Sequence, residues 1–92
     1  MYKWQKNGVV KTYYYSGKIQ FKTPYSEGKT NGISKAYYES GELQFITPYV
    51  NGEEDGIAKE YYENGKLKSE TTYNNGVKVS RRTYDENGNE IK

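Results

Sequence analysis

A period of 24 residues runs through most of this 92-residue chain. The glycines mark it most clearly, because three positions recur in successive units: Gly8, Gly32 and Gly56; Gly17, Gly41 and Gly65; Gly28, Gly52 and Gly76. Tyrosines keep the same spacing, as in Tyr13, Tyr37 and Tyr61, and an aliphatic position extends it through Ile19, Leu43, Leu67 and Ile91. A fixed repeat of this kind constrains the fold more than any other sequence feature.

Each unit has the pattern of a β-hairpin. In the third unit, Asn64-Gly65 separates two runs rich in tyrosine, threonine and aliphatic residues, which is a strong hairpin signal. A two-residue loop at Ser16-Gly17 would place Tyr14 opposite Ile19 in the first unit. The sequence therefore predicts strand, tight turn, strand and looser turn in every unit.

The predicted fold is all-β: a single-layer antiparallel β-meander of eight or nine strands, roughly 40 Å across at about 4.8 Å per strand. We expect one domain, 1–92, with a cap strand (1–7), three repeats (8–31, 32–55 and 56–79) and a degenerate C-terminal repeat (80–92). The last unit is called degenerate because Ser80 replaces a glycine and the turn at 85–88 looks longer. Pro24 and Pro48 are expected at strand ends or bulges.

Alternation of side chains assigns two faces to the first hairpin. The face expected to be buried has Val10, Thr12, Tyr14, Ile19, Phe21, Thr23 and Tyr25. The face expected to be solvated has Lys11, Tyr13, Tyr15, Lys18, Gln20 and Lys22. The later units repeat this division.

Composition argues against catalysis. The chain has no histidine and no cysteine, so the commonest general base, metal ligand and thiol nucleophile are missing. The acidic run 53–55 is interpreted as a solvated turn rather than a calcium site, since it lacks the spacing of calcium-binding loops. We expect a non-enzymatic protein without cofactor or metal, and a cytoplasmic one because no apolar run resembles a signal or membrane span.

The charge distribution disfavours two classes of partner. Net charge is +5 over residues 1–31 but −4 over residues 32–55. A groove for nucleic acid would need basic charge along its whole length, and the acidic middle would also oppose an anionic membrane. A protein partner is therefore favoured over nucleic acid or membrane.

The repeated run Gly-x-x-Lys-x-Tyr-Tyr-x-x-Gly-x-Leu/Ile, followed by Tyr-x-x-Gly, occurs at 8–28, 32–52 and 56–76. It resembles the variant MORN repeats of the bacterial YwqK-type antitoxin family. The resemblance implies a hairpin-repeat fold, a bacterial or phage origin and a role in neutralising a partner toxin. That family often has tryptophan two residues after the first glycine, where this chain has Val10, Ser34 and Ala58. A groove at those positions should be shallower here.

The candidate partner-binding residues centre on a ridge of tyrosine and aliphatic side chains on the solvated face, with Trp4 of the cap strand and neighbouring lysines added. They are Trp4, Tyr13, Tyr37, Tyr61, Ile33, Ile57, Lys11, Lys35 and Lys59. Tyrosine is enriched in binding hot spots, although cross-strand tyrosines could also serve only to stabilise a thin sheet. We expect an antitoxin or inhibitor, monomeric or paired through its edges, that covers the active surface of a toxin or nuclease-like effector. A self-associating scaffold and a peripheral membrane module are the alternatives.

Overall fold

The computed structural model describes residues 7–92, which form one ten-stranded antiparallel sheet without a helix. The strands are β1 (Gly8–Tyr13), β2 (Ile19–Ser26), β3 (Lys29–Thr30), β4 (Gly32–Tyr37), β5 (Leu43–Val50), β6 (Glu53–Glu54), β7 (Gly56–Tyr61), β8 (Leu67–Asn74), β9 (Val77–Tyr84) and β10 (Glu90–Ile91). Eight strands follow one another across the sheet in chain order, while the short β3 and β6 pair with β2 and β5. The predicted all-β meander is confirmed. Trp4 and residues 1–6 of the predicted cap strand lie outside the described residues.

The sheet is a single layer with almost no core. Its extents are 55 × 36 × 13 Å, and its accessible surface is 6598 Å², against about 5500 Å² for a compact protein of this mass. Among residues 7–92, only Ala36, Ser69 and Thr71 are buried. Stability must therefore come mainly from backbone ladders and cross-strand side-chain pairs.

The tight turns have three residues, so the predicted two-residue loop is wrong. In the first hairpin the Tyr14 N–H donates to the Lys18 carbonyl at 2.8 Å, and the Gly17 N–H donates to the Tyr14 carbonyl at 2.9 Å. Gly17 has a φ of +94°, as a turn of this type requires at its third residue. A β-bulge at Gln20 absorbs the extra loop residue, and Thr12 still pairs with Phe21 as predicted.

The two prolines lie inside strands rather than at strand ends or bulges, so that prediction is also wrong. Pro24 pairs with Val9 on one side, and on the other side its carbonyl accepts a hydrogen bond from the Asn31 N–H at 3.0 Å. The proline nitrogen faces that second side, where pairing passes from β4 to β3. No ladder hydrogen bond is lost there, so proline is tolerated.

The fourth hairpin is shifted by one residue relative to the 24-residue period. Gly32 and Gly56 both have a φ of +113°, and β4 and β7 begin at these two glycines after an interruption of the strand. Ser80 stands at the next equivalent position, and serine rarely adopts such a backbone. The chain instead passes straight through as the continuous strand β9, with a register shift opposite Thr72–Tyr73, and uses one residue fewer.

The final turn then repeats the geometry of the others, and the predicted longer turn is wrong. The Asp85 N–H donates to the Asn89 carbonyl at 2.8 Å, and the Gly88 N–H donates to the Asp85 carbonyl at 3.0 Å. Glu90 pairs with Tyr84 where Ile19 pairs with Tyr13 in the first hairpin. Ile91 therefore does not occupy the aliphatic position that the period assigned to it.

Candidate partner-binding face

Strand register separates two faces, because directly paired residues of an antiparallel sheet lie on the same side. The inner face is the one expected to be buried, and its central row is Thr12, Phe21, Ala36, Phe45, Glu60, Ser69 and Thr83. The outer face is the opposite one, and its central row is Lys11, Lys22, Lys35, Ile46, Lys59, Glu70 and Arg82. All three buried side chains of residues 7–92 belong to the inner face. Phe21 and Phe45 of the same face were also expected to be buried, and they are 43% and 38% exposed because no second layer of the described chain covers the sheet.

The outer face has an aliphatic, a basic and a tyrosine side chain at alternate positions in the first strand of each of the first three hairpins. These outer-face triplets are Val9, Lys11 and Tyr13 in β1; Ile33, Lys35 and Tyr37 in β4; and Ile57, Lys59 and Tyr61 in β7. They include every predicted binding residue except Trp4. Because the triplets are two strands apart, they repeat at intervals of roughly 10 Å.

The triplet side chains differ in exposure. The aliphatic members are half exposed or more, at 57% for Val9, 51% for Ile33 and 50% for Ile57. Tyr13 is 56% exposed, whereas Tyr37 and Tyr61 are half-buried between neighbouring strands. The aliphatic and tyrosine rows therefore present apolar surface to solvent on either side of the basic row.

The structure adds a fourth triplet that the 24-residue period missed. Because of the one-residue shift, Ser80, Arg82 and Tyr84 of β9 take the triplet positions. The period had assigned Thr83 and Asp85 to the basic and tyrosine positions. The motif basic-x-Tyr at 82–84 was the available signal, and it is found only if the spacing may change by one residue.

Lys22 is a second residue of this face that was not among the predicted binding residues. It lies on β2 and pairs with Lys11 on one side and Lys35 on the other. Its Nζ is 5.8 Å from the centroid of the Tyr37 ring, within range of a cation–π interaction. Lys22 was placed on the solvated face from sequence, but its cross-strand neighbours depend on register between hairpins.

The comparisons with known proteins identify the repeats. The family model described as MORN repeat variant matches residues 6–27, 30–51 and 54–75, well over half of the chain. This chain belongs to the MORN repeat variant family. No curated protein and no solved structure matches the chain.

Hydrogen bonds between successive MORN hairpins hold the triplet strands in place. In each of the first three hairpins, the tyrosine directly after the triplet tyrosine donates a hydrogen bond from its hydroxyl to a backbone carbonyl of the next hairpin. The bonds run from Tyr14 to Tyr37 at 2.5 Å, from Tyr38 to Tyr61 at 2.6 Å and from Tyr62 to Tyr84 at 2.7 Å. The acceptor is always the tyrosine of an outer-face triplet. We call these three bonds the inter-repeat tyrosine bonds. Burial raises the pKa of the Tyr38 hydroxyl above its ordinary value.

Each face of the MORN sheet also has an open depression. The outer depression, about 210 Å³, is lined by Ile57, Glu70, Thr72, Ser80 and Arg82. It forms where Thr72 and Ser80 continue a row that starts with the larger Val9, Pro24 and Ile33. The inner groove, about 170 Å³, is lined by the small side chains of Thr47, Ala58 and Thr71 and by the larger Tyr49 and Tyr73, among others.

The acidic residues of the MORN chain do not come together as a metal site within the part that the structure describes. Residues 7–92 contain no group of three histidine, cysteine, aspartate or glutamate side chains that could hold a metal ion. The acidic run 53–55 is divided between β6 and a connection in which Asp55 accepts a hydrogen bond from the Asn75 N–H at 3.4 Å. The same residues include no helix that is long and apolar enough to cross a membrane.

Proposed function

We propose that this MORN protein is a non-enzymatic protein-binding module that acts in the cytoplasm as an antitoxin or inhibitor. Its outer face would cover the active surface of a partner enzyme. The main observation in favour is the outer face itself, where four triplets of matched position repeat along one side of a single sheet. The resemblance to the YwqK-type antitoxin family supports the inhibitory role.

The residue types of the outer face are those that stabilise protein interfaces. Tyrosine and arginine are enriched among hot-spot residues, and tyrosine has few rotatable bonds to immobilise. Tyr37 and Tyr61 are already held between strands, so little conformational entropy is lost when a partner covers them. The basic row between two apolar rows gives a partner both contact area and orientation.

The dimensions of the face also suit a protein partner. The four triplets extend about 30 Å across the strands and about 13 Å along them. With side chains included, this approaches the roughly 800 Å² that each partner contributes to an interface of standard size. The outer depression next to Arg82 could receive one anchoring side chain of the partner.

The test combines capture of a partner with an activity measurement. The unaltered chain, used as bait in its native host, should recover a protein whose enzymatic activity falls when the chain is added back at equal concentration. The triple variant Tyr13→Ala, Tyr37→Ala, Tyr61→Ala should lose this inhibition. Tyr15→Ala is the matched control, since Tyr15 lies in a hairpin loop and is fully exposed.

Three results would contradict the proposal. The first is that no protein is recovered, and the second is that the recovered protein keeps its activity in the presence of the chain. The third is that the triple variant, shown to be folded by circular dichroism, inhibits as well as the unaltered chain. Oligomers that grow with concentration in light scattering, or sedimentation with anionic vesicles, would favour the scaffold or membrane alternatives.

A further inference from the structure

Three lysines stand side by side on the outer face, on neighbouring strands. Lys11 on β1 pairs with Lys22 on β2, and Lys22 pairs with Lys35 on β4. Adjacent strands are about 4.8 Å apart, so the three side chains start within roughly 10 Å. We call them the lysine patch. Like charges directly opposite one another destabilise a sheet, so the patch lowers the stability of this fold.

No carboxylate of the described residues compensates the lysine patch. The ion pair within residues 7–92 joins Lys68 Nζ to Glu60 Oε2 at 3.4 Å, and Glu60 lies on the inner face. The next residue of the outer row, opposite Lys35, is the uncharged Ile46. The patch is therefore an uncompensated positive site, with Lys22 held above the Tyr37 ring.

The other end of the same row has a different charge pattern. There Glu70 pairs with Lys59 on one side and with Arg82 on the other, so that signs alternate. Positive charge is thus concentrated at the β1–β4 end of the outer face. A partner with a complementary acidic site would approach and dock in one orientation.

We propose that the lysine patch binds a group of carboxylates on the surface of the partner protein and so fixes the direction in which the partner lies on the outer face. This inference rests on the proposed function, because it describes the partner of that same face. Val9, Pro24 and Ile33 form an apolar row directly beside the patch. The matching partner surface therefore has acidic side chains next to exposed apolar ones.

The surroundings of the lysine patch favour an acidic protein over a nucleic acid or an anionic membrane. A nucleic acid backbone carries phosphates at regular intervals and would require basic charge to continue along the row, but Ile46 and Glu70 interrupt it. Glu70 would also face the headgroups if the outer face lay on an anionic membrane. A compact group of carboxylates fits the length of the patch and needs nothing beyond it.

A titration with synthetic probes tests the chemistry of the patch. The probe is a fluorescent peptide of alternating glutamate and valine, compared with the same peptide containing glutamine, a short oligothymidylate and anionic phospholipid vesicles. We expect the glutamate peptide to bind best and to weaken as salt rises. Lys22→Gln should weaken it about two- to fivefold, the range for one exposed ion pair. Lys66→Gln, which changes an exposed lysine next to a hairpin loop, should leave it unchanged.

The outcomes separate this inference from the proposed function. Equal binding of the glutamate and glutamine peptides, preference for the oligonucleotide or vesicles, or equal effects of the two lysine variants would overturn the patch assignment. If an inhibited partner is recovered and Lys22→Gln binds it as tightly as the unaltered chain at low salt, the patch inference fails and the proposed function stands. If no partner is recovered, the proposed function fails, and the peptide titration still decides whether the patch selects carboxylates.

Discussion

Removal of the inter-repeat tyrosine bonds should weaken the coupling between hairpins. Tyr38→Phe deletes one hydroxyl and keeps the ring, so the hydrogen bond to the Tyr61 carbonyl is lost without a change in apolar contact. The triple variant Tyr14→Phe, Tyr38→Phe, Tyr62→Phe deletes all three bonds. Since each bond joins residues 22 or 23 positions apart, every deletion acts between repeats and not within one.

The magnitude follows from the burial of these bonds. A hydrogen bond of this kind contributes about 0.5–1.5 kcal/mol to the free energy of unfolding. The bond is partly exposed, so water can replace the lost donor, and we expect each deletion to cost about 1 kcal/mol. For a domain of this size that loss lowers the melting temperature by about 4–8 °C. The three donors are roughly 10 Å apart, so the losses should add to about 3 kcal/mol. A chain of this length has about 5–14 kcal/mol in total.

Urea unfolding followed by circular dichroism measures the effect. The single variant should lower the urea midpoint, and the triple variant should lower it about three times as much and also reduce the slope of the transition. A reduced slope is expected because weaker interfaces let repeats unfold separately. Tyr15→Phe is the control and should change neither quantity, because its ring is fully exposed. A triple variant with an unchanged midpoint would refute this account of how the repeats are joined.

Three further outcomes follow from the structure. Gly32→Ala should lower the free energy of unfolding by about 1–3 kcal/mol, because φ is +113° and a Cβ would lie 3.2 Å from Pro24 Cγ. Gly41→Ala is the control: its φ is +98°, but a Cβ there would meet open space, so its free energy of unfolding should fall less. Equal losses of stability in thermal melts of the two variants would contradict the effect of the Pro24 contact. Lys22→Gln removes two like-charge pairs and also the cation–π contact with Tyr37, so its free energy of unfolding, compared with that of the unaltered chain, should be more favourable at low salt than at high salt. A difference that does not change with salt in urea titrations would contradict the like-charge account. Burial raises the pKa of Tyr38 above its ordinary value of 10.0, so the contribution of Tyr38 to stability is complete below pH 10 and declines as pH rises through the folded-state pKa. Thermal melts at alkaline pH should show less of this decline in Tyr38→Phe than in the unaltered chain. Identical pH profiles of the two proteins would contradict the link between Tyr38 ionisation and stability.

Much of the fold could be predicted because the local signals agree. Glycine positions, tyrosine positions and alternation all indicated one antiparallel hairpin repeat, and the sheet has that order. The loop length could not be read in the same way. A three-residue loop with a bulge at Gln20 and a two-residue loop without one give the same Thr12–Phe21 pair, so periodicity does not distinguish them.

The candidate face was predicted for three hairpins and missed for the fourth. One substitution, serine for glycine at position 80, removes a backbone conformation and shortens the unit by one residue. The consequence appears two residues later, where Arg82 enters the basic row. Lys22 was missed for another reason: its significance depends on Lys35, which pairs with it only across the boundary between two hairpins.

The scarcity of buried apolar side chains has a thermodynamic consequence. Ala36 is the sole buried apolar residue within 7–92, so unfolding newly exposes less hydrocarbon surface than it does in a compact domain of the same size. The heat capacity of unfolding per residue should then fall below the roughly 12–15 cal/mol/K of ordinary domains. A small heat capacity change of unfolding flattens the curve of stability against temperature. Cooling should therefore change the free energy of unfolding of this sheet less than that of a protein with a packed interior.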